Sequence, residues 1–493
     1  MTEIVRNLKK SSQEPYDLII VGGGIYGVML SFEAVRRNLR PLMLEKNDFI
    51  SATSLNHLRT VHGGLRYLQS LDFPRFRESV VERKWFLKYF PQFIEPFPCL
   101  MPLYGKGVQK KPILWAGLLL NDILSFNRNF SVKKDRHLPN GKIISPQQTG
   151  EIFPGVDGKD LEGSAVWHDA GVEEYQRLMM ELVKLAVNSG ATALNYVNVK
   201  GLLKENDHVI GVSALDKETG DEYEFKAPVV INAAGPWSRD VAARFDKDHP
   251  PLFKKRLLLW NVLFNREALS NHALALNPEK GKGRSYFFHI WKKRMLVGTG
   301  EVIVEKSDTE LNVPGREMET FITDVNKMAP GLNIKESDIQ RIYSGILPAN
   351  ENGKLAKRPV LFDHSAHGGP KGLYSISGIK FTTSRRVADK TLNKVFPKAK
   401  KMPHEKILEK MEINNLSFDY HWEPSNEADL NKLKEIMQKE SVLHLSDLIL
   451  RRTSLGDHPE RAIKILPKIR GIFAWDDKKW AAEVKDLKEN FKK

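Results

Sequence analysis

The sequence contains very little cysteine and no long apolar stretch. Cys99 is the one cysteine among 493 residues, which excludes an internal disulfide and is typical of proteins from a reducing compartment. The longest apolar runs, such as PILWAGLLL, are far shorter than the roughly 20 residues that a membrane-spanning helix needs. Together these features predict a cytoplasmic protein.

Signatures of nucleic-acid binding are also missing, since the sequence has no zinc-finger spacing, RNA-binding sheet motif or basic zipper. The formal net charge is nevertheless +15. Such a charge favours anionic partners, for example a phosphorylated substrate, an anionic cofactor or a lipid surface. Most of it is expected to be solvated surface, and we predict neither a nucleic-acid partner nor a metal site.

The first sixty residues have the pattern of a strand, a tight turn, a helix and a second strand. Residues 18–21 form a short apolar run, and Gly22, Gly24 and Gly27 give the GxGxxG of GGGIYG. The second strand, RPLMLE, ends on Glu45, 18 residues after Gly27. Glycines of this kind let the backbone approach a pyrophosphate, and the acid accepts hydrogen bonds from ribose hydroxyls. The pattern predicts a dinucleotide site, and Glu45 favours NAD or FAD over NADP.

The sequence after Glu45 favours FAD. A nicotinamide-binding domain would continue with alternating strands and helices, but the polar loop NDFISATSLNHLRTVHGG follows instead. Further on, residues 195–238 have the pattern of a β-meander with Gly and Asp turns, which ends in a strand and the small-residue loop AAG. This combination is typical of two-domain flavoproteins.

Several blocks resemble the FAD-dependent glycerol-3-phosphate dehydrogenases of the D-amino-acid-oxidase-like superfamily. VHGGLRYL is similar to the family's His-Gly-Gly-Leu-Arg-Tyr block, and INAAGPWS to its Asn-Ala-(Thr/Ala)-Gly-Pro-Trp block. YSGILP and GIKFTTSR stand where the family has Tyr-Ser-Gly-Val-Arg-Pro and Gly-Gly-Lys-Leu-Thr-Thr-Tyr-Arg. VLHLSDLILRRTSLG and WDDKKWAAEV resemble its small helical appendage, so the likeness runs along nearly the whole chain.

The resemblance, with the separation of the dinucleotide and meander segments, implies a chain of mixed α/β and α+β class. A discontinuous Rossmann-like FAD-binding domain is expected at 15–80, 145–240 and 340–400. An antiparallel-sheet substrate or cap domain is expected at 81–144 and 241–339, and a small C-terminal helical domain at 403–493. Residues 1–14 are expected to be a polar, poorly ordered lead.

The resemblance also implies that residues 53–68 run along the flavin ring into the substrate cavity. Thr53 and Ser54 are then expected to bind the pyrophosphate or the ring edge, and Gly63 and Gly64 to let the ring approach the backbone. The other residues expected at the cofactor are Lys46, His62, Val199, Ala234, Gly235, Trp237, Gly378, Ile379, Lys380, Phe381 and Thr382.

Four residues are implied to act on the substrate. Arg66 and Tyr67 are expected to contact it, with Arg66 facing an anionic group, and Arg358 matches a family arginine that helps bind it. Lys380 precedes the helix FTTSRRVADK, and lysine and helix N-terminus together would place positive charge at the pyrimidine end of the flavin. The alternatives are a surface ion pair for Arg66 and a solvated side chain for Lys380.

Three histidines have open roles. His62 is interpreted as a hydrogen-bonding partner of the ring edge, a core histidine or a covalent attachment point for the flavin. His57 is expected to be an ordinary loop residue. His289, in the alternating strand YFFHIW, is either structural or a replacement catalytic base.

The sequence departs from the family where the family meets its substrate. Leu347 replaces an arginine, and one lost arginine–phosphate pair would weaken binding by about 1.5–3 kcal/mol. Ile379 replaces a glycine, and the segment RLLLWNVLF replaces a family Lys-Gly-Ser-His run that includes a candidate base. The replacing residues are Leu259, Trp260, Asn261 and Val262. These changes predict a bulkier, more apolar or less charged substrate.

One apolar segment, KKPILWAGLLLNDILSFNRN, has two interpretations. Flanking Lys110, Lys111 and Arg128, with Trp115 as an interface anchor, would suit a helix lying on a membrane surface. Because its apolar residues lie nearly all round, a buried helix is favoured. The family's electron transfer to quinone keeps peripheral attachment to an anionic leaflet as an alternative.

The sequence therefore predicts an FAD-dependent dehydrogenase or oxidase that transfers hydride from a CH–OH group to the flavin. Glycerol 3-phosphate is possible as the substrate, and a related polyol or sugar derivative is favoured, with quinone or oxygen as electron acceptor. Two alternatives stay open: an amine or amino-acid oxidase of the same superfamily, and a flavin-binding protein without catalysis.

Overall fold

The computed structural model describes residues 3–246, 255–278, 284–304, 311–411 and 422–492. Parts of the predicted ranges 241–339 and 403–493 lie outside these residues. The strands are β1 (Leu18–Val21), β2 (Pro41–Leu44), β3 (Thr60–Val61), β4 (Ile94–Leu103), β5 (Lys142–Ile144), β6 (Gly163–Val172), β7 (Thr192–Leu194), β8 (Val197–Glu205), β9 (His208–Asp216), β10 (Glu222–Lys226), β11 (Val230–Asn232), β12 (Lys255–Glu267), β13 (Ala273–Leu276), β14 (Tyr286–Trp291), β15 (Arg294–Val304), β16 (Ile339–Ala349), β17 (Val360–Asp363) and β18 (Leu373–Ser377). The helices are α1 (Leu8–Ser11), α2 (Ile25–Val35), α3 (Phe73–Tyr89), α4 (Lys111–Leu124), α5 (Pro146–Ile152), α6 (Tyr175–Asn188), α7 (Ser238–Phe245), α8 (Gly315–Met328), α9 (Ser384–Val395), α10 (His404–Leu408), α11 (Glu427–Lys439), α12 (Leu445–Asp447), α13 (Pro459–Ile469) and α14 (Asp477–Lys492).

A mainly parallel sheet forms the centre of the first domain, with the order β17-β18-β11-β1-β2-β7. All its neighbouring strands run parallel except the edge pair β17 and β18. In β1, Leu18 and Ile20 pack into a core with α2 and α6, whereas Ile19 and Val21 pack into a second core with the β8–β10 sheet. Both faces of the strand are thus buried, which explains its continuous apolar run.

The predicted β-meander is confirmed as the antiparallel sheet β10-β9-β8. The segment SYFFHIWKKRMLVGTGEV forms a hairpin of β14 and β15, with Lys292 and Lys293 at positive φ in its two-residue turn. The fold class expected from the sequence is therefore confirmed, with parallel and antiparallel sheets in one chain.

The large sheet takes strands from all the predicted segments of both domains. Its order is β16-β12-β15-β14-β13-β4-β6-β3, and β5 also pairs with β6. β3 and β6 lie within the ranges 15–80 and 145–240 expected for FAD binding, and β16 begins one residue before the range 340–400. Antiparallel pairing thus joins segments that are distant along the chain, which local patterns do not reveal.

The N-terminal segment of the chain differs from the prediction, whereas the C-terminal helices agree with it. Residues 1–14 were expected to be a poorly ordered lead, but Ile4 and Leu8 are buried, and the Ile4 N–H donates to the carbonyl of Lys439 at 2.8 Å. Hydrophobic contacts and this backbone bond hold the segment against the protein. At the other end, α11, α13 and α14 enclose an apolar core of their own, as the predicted helical domain requires.

A buried ionic network joins the C-terminal helices to the first domain. Asp48, three residues after Glu45, accepts both terminal nitrogens of Arg452, at 2.7 and 2.8 Å, and Nε of Arg451 at 2.6 Å. Asn195 donates to the same carboxylate at 2.9 Å. Although burial opposes ionisation, Arg452 and Arg451 hold the pKa of Asp48 well below its usual range. The loop after Glu45 is thereby fixed from the C-terminal side.

Candidate active site

The glycine turn lies at the carboxyl edge of the parallel sheet, between β1 and α2. Gly22 has φ of +112°, a conformation that favours glycine, and a Cβ there would press on the carbonyl of Ala233. A Cβ on Gly27 would overlap the carbonyl oxygen of Gly22. Both glycines are therefore required to bring the first turn of α2 against the end of β1, as the GxGxxG pattern predicted.

Glu45 reaches the same turn from the end of β2. Its carboxylate accepts the Gly23 N–H at 2.6 Å and the Asn47 N–H at 2.9 Å, and burial raises its pKa. Ser54 accepts the Ile25 N–H at 2.9 Å on the first turn of α2. Each carboxylate oxygen keeps acceptor capacity for ribose hydroxyls beside the helix N-terminus.

The remaining predicted cofactor residues follow neighbouring parallel strands, so they meet at the same edge. Ala234, Gly235 and Trp237 come after β11, with Lys46 5.4 Å from the Trp237 ring, and the segment 378–382 comes after β18. Val199 lies in β8 and is buried. β1 lies between β11 and β2 at the point where the chain's progression reverses, which is where open α/β sheets bind their ligands.

These residues fit FAD. The N-cap residue of α2, Gly24, has no side chain, and only the Ile25 N–H of the first turn is accepted by a side chain, that of Ser54. The neighbouring main-chain N–H groups suit a pyrophosphate. The indole N–H of Trp237 is buried and makes no hydrogen bond to any described residue. A cradle that only glycine permits, the Glu45 carboxylate and an unsatisfied donor thus lie together around one edge.

Lys380 forms the centre of the adjoining polar site. Its Nζ donates to the Tyr67 hydroxyl and lies 4.0 Å from the centre of that ring. The Arg75 guanidinium lies 4.3 Å from the same ring. Burial, followed by the charge of Arg75, lowers the pKa of Lys380 to about 7, while burial raises the pKa of Tyr67 to about 12.

A pocket of about 250 Å³ opens beside Lys380, between α3, α9 and the segment before β17. Tyr26 forms part of its wall: the Tyr26 hydroxyl accepts the Ile379 N–H at 2.9 Å and the Lys380 N–H at 3.1 Å, and donates to the Lys380 carbonyl. Its ring packs on Gly378 so closely that a Cβ there would overlap it. The cationic side chains that line the pocket are Arg75, Lys357, Arg358, Lys380, Arg386 and Lys390.

Of the predicted substrate residues, the structure brings Tyr67, Lys380 and Arg358 together but not Arg66 or His289. Arg358 is 70% exposed at the pocket, 3.8 Å from Asp72. Arg66 is exposed on the short 3-10 helix 65–70, because successive residues of a tight turn point in different directions. His289 is buried in β14, with its ring 4.7 Å from that of Phe97.

Three loop residues have other contacts than those predicted. The Thr53 hydroxyl bonds to the main chain of Ile346, at 2.9 and 3.0 Å. Gly63 packs on the Arg83 guanidinium, and Gly64 packs on the Tyr67 ring. The Gly-Gly pair therefore makes room for these side chains, which fixes Tyr67 beside Lys380.

The other two histidines are neutral groups of this loop. Burial and the charge of Lys380 lower the pKa of His62 to about 4, and its ring is edge-on to Tyr67 at 6.0 Å. His57 is not an ordinary loop residue, because its ring stacks on Phe381 at 4.8 Å and meets Tyr175 edge-on at 4.2 Å. Thr382, next to Phe381, is buried.

The residues that depart from the family pattern are in β12, in β16 and after β18, and those of β12 lie on both of its faces. Trp260 and Val262 pack with Phe321 of α8 in the core beneath the large sheet, so they do not line the pocket. Leu259 and Asn261 lie on the opposite face, as strand alternation requires. Leu347 is half-buried in β16 opposite Leu257, and Ile379 lines the pocket.

Arg75 and Tyr26 were missed by the sequence reasoning. A signal for Arg75 exists: Asp72 caps α3, with proline in the first turn, and Arg75 is three residues later. That cap places Asp72 and Arg75 directly after the segment that holds Tyr67. Tyr26 carries no comparable signal, because its partners lie at the far end of the domain's sequence.

Comparison with known proteins agrees with this geometry. A family model described as FAD dependent oxidoreductase (DAO) matches residues 17–389. The glycerol-3-phosphate dehydrogenase of Synechocystis sp. is 32% identical over 80% of this chain and 73% of its own length. A probable mitochondrial glycerol-3-phosphate dehydrogenase of Caenorhabditis elegans is 29% identical over 80% of this chain, which spans only 54% of that protein.

The FAD complex of the Bacillus halodurans glycerol-3-phosphate dehydrogenase shares the fold, with a TM-score of 0.73 over 98% of this chain and 96% of that chain at 20% identity. The fold and the site thus define an FAD-dependent oxidoreductase of the DAO family. Within that family, the chain belongs to the glycerol-3-phosphate dehydrogenases.

Proposed function

We propose that the protein oxidises a CH–OH group of a small anionic polyol or sugar derivative. Glycerol 3-phosphate is one candidate, and a related, bulkier compound is the preferred one. The observation that carries the proposal is the cationic pocket beside Lys380, which adjoins the residues that fit FAD. Arg75 and Arg358 would bind the anionic group, while Leu347 and Ile379 replace the arginine and glycine of the family pattern.

The glycine turn and the first turn of α2 would hold the FAD pyrophosphate, Glu45 the ribose, and residues 378–382 the ring. When bound, FAD supplies the two-electron acceptor for the substrate's C–H hydrogen. The chain's own contribution is to position the hydroxyl in the pocket and to stabilise charge there. Tyr67 and Lys380 are placed to serve both functions, positioning the hydroxyl and stabilising charge.

Anaerobic mixing with candidate substrates tests this proposal. Larger polyol phosphates and sugar phosphates should bleach the visible flavin absorbance faster than glycerol 3-phosphate, because Leu347 and Ile379 stand where the family has an arginine and a glycine. D-amino acids and simple amines serve as the comparison set. Faster bleaching by an amine would indicate an amine oxidase, and bleaching by none of these compounds would contradict the proposal.

Quinone or oxygen is the proposed final electron acceptor.

We also propose that the protein binds an anionic membrane surface through α4. The sequence favoured a buried helix, but only Leu114 and Leu118 of α4 are buried. Between 47% and 68% of each of several large apolar side chains is exposed: Ile113, Trp115, Leu119, Ile123, Phe126 and Phe130. Lys106, Lys110 and Lys111 flank this face, a pattern typical of interfacial helices. Among the described residues, no helix could cross a bilayer.

A vesicle assay tests the α4 face. The double variant Trp115→Glu/Ile123→Glu should partition at least about tenfold more weakly to phosphatidylglycerol-containing vesicles. Each change removes apolar area that the bilayer would bury and adds a negative charge that the anionic lipid repels. Ile210→Glu is the matched control, since Ile210 is also exposed but lies in β9. Membrane binding by α4 would be contradicted if the wild-type protein does not bind the vesicles, or if both variants partition to them equally.

A further inference from the structure

The proposed oxidation needs a group that accepts the hydroxyl proton, and the histidines here are poor candidates. Burial lowers the pKa of His289 to about 3 and that of His62 to about 4, and it lowers the pKa of His57 well below its usual value. A general base is most effective when its pKa lies near the working pH. Val262, at the position of the family histidine, packs into the core beneath the large sheet.

We propose that Lys380 accepts the substrate's hydroxyl proton as an unprotonated amine, and that Tyr67 is the positioning residue that holds it. This inference rests on the proposed function. In the step, the O–H proton passes to Nζ, the C–H hydrogen leaves with two electrons to the flavin, and a C=O bond forms. The products are a carbonyl compound, a Lys380 ammonium group and a flavin reduced by two electrons.

The contacts of Lys380 support a neutral amine. The Lys380 side chain lines the pocket, and the Tyr67 hydroxyl accepts a hydrogen bond from its Nζ, which fixes the position of the amine. Both carboxylates near it are paired with other cations: Asp72 lies 3.4 Å from Arg75 and 3.8 Å from Arg358, and Glu78 lies 2.5 Å from Lys390 and 3.3 Å from Arg386. The charge of Arg75 disfavours a second cation beside it.

Other titratable groups face Lys380 from the elements around it. These groups are Tyr26 from α2, His62 and Tyr67 before α3, Asp72, Arg75 and Glu78 at the start of α3, Lys357 and Arg358 before β17, and Arg386 and Lys390 on α9. The charge of Arg75 disfavours the ammonium form, whereas Asp72 and Glu78 favour it. Burial, which is the largest cause, and Arg75 outweigh the two carboxylates and lower the pKa of Lys380 to about 7.

A first experiment measures the pKa without any substrate. Competitive acetylation of the FAD-loaded and FAD-free protein over a range of pH, followed by peptide mass spectrometry, gives the titration of each lysine. The Lys380 amine should react with a midpoint near 7. A Lys380 midpoint near the ordinary lysine value of about 10.4 would overturn the proposal.

A second experiment separates proton acceptance from positive charge. With the best substrate from the anaerobic screen, the rate of flavin reduction should rise with pH through about 7, because only the unprotonated amine accepts the proton. Lys380→Met and Lys380→Arg should both slow reduction by at least about 100-fold and remove this pH dependence. Tyr67→Phe should move the midpoint to lower pH, because the hydroxyl accepts from the ammonium form.

Lys394→Met is the control and should keep the wild-type rate and pH profile. Because Lys380 lies in the segment proposed to hold the flavin ring, the rate of every variant is expressed per bound FAD. Near-wild-type reduction by Lys380→Arg would show that charge alone is needed and would overturn the proposal. If no substrate reduces the flavin, the proposed function has failed, and the acetylation midpoint still decides whether Lys380 is neutral near pH 7.

Discussion

Gly27→Ala should yield a protein without bound FAD. The added methyl group would overlap the carbonyl oxygen of Gly22, and both groups belong to backbone that β1 and α2 hold in place. The first turn of α2 would have to move away from β1, which removes the main-chain cradle for the pyrophosphate. We expect visible flavin absorbance per protein below about one-tenth of the wild-type value.

Gly150→Ala is the matched control, because a Cβ at that position in α5 meets open space. Alanine is the better helix former, so this variant should fold and bind FAD as the wild type does. Circular dichroism of both variants would show whether the sheet has formed. A folded Gly27→Ala protein with full flavin content would contradict the assigned role of the glycine turn.

Asp48→Asn should lower the free energy of unfolding of the protein by about 3–5 kcal/mol, which is the usual effect of breaking a buried ion pair. The substitution keeps the shape of the side chain but leaves Arg451 and Arg452 buried beside a neutral group. Because Asp48 is three residues after Glu45, FAD affinity should fall as well. Thermal unfolding followed by circular dichroism, with flavin release recorded in parallel, measures both effects.

Glu14→Ala is the control for this variant, because the Glu14–Arg40 pair is exposed and should contribute less than about 1 kcal/mol. The pH dependence gives a further check. The pKa of Asp48 is lowered in the folded state, so its contribution is complete above an unfolded-state value of about 3.9 and is lost as the pH falls below it. The difference between wild type and Asp48→Asn should therefore narrow in acid, and a difference that grows in acid would contradict the network.

The cofactor site could be predicted because its parts are close together in sequence. Residues 22–27 and Glu45 belong to one strand–turn–helix–strand unit, so local patterns fix both their conformation and their order. The substrate pocket could be predicted only in part. Tyr67 and Lys380 were named through family blocks, whereas Arg75 became visible only where α3 packs beside the Tyr67 ring.

The sequence alone determined the dinucleotide turn, the β-meander and the family, because each depends on neighbouring residues and on recognisable spacing. Tertiary structure decided which strands share a sheet, which face of β12 carries Trp260 and Val262, and that α4 exposes its apolar side. It also decided that Lys380 lies against Tyr67 and near Arg75. These features depend on contacts between distant segments, where pairing partner and side-chain direction are set by packing.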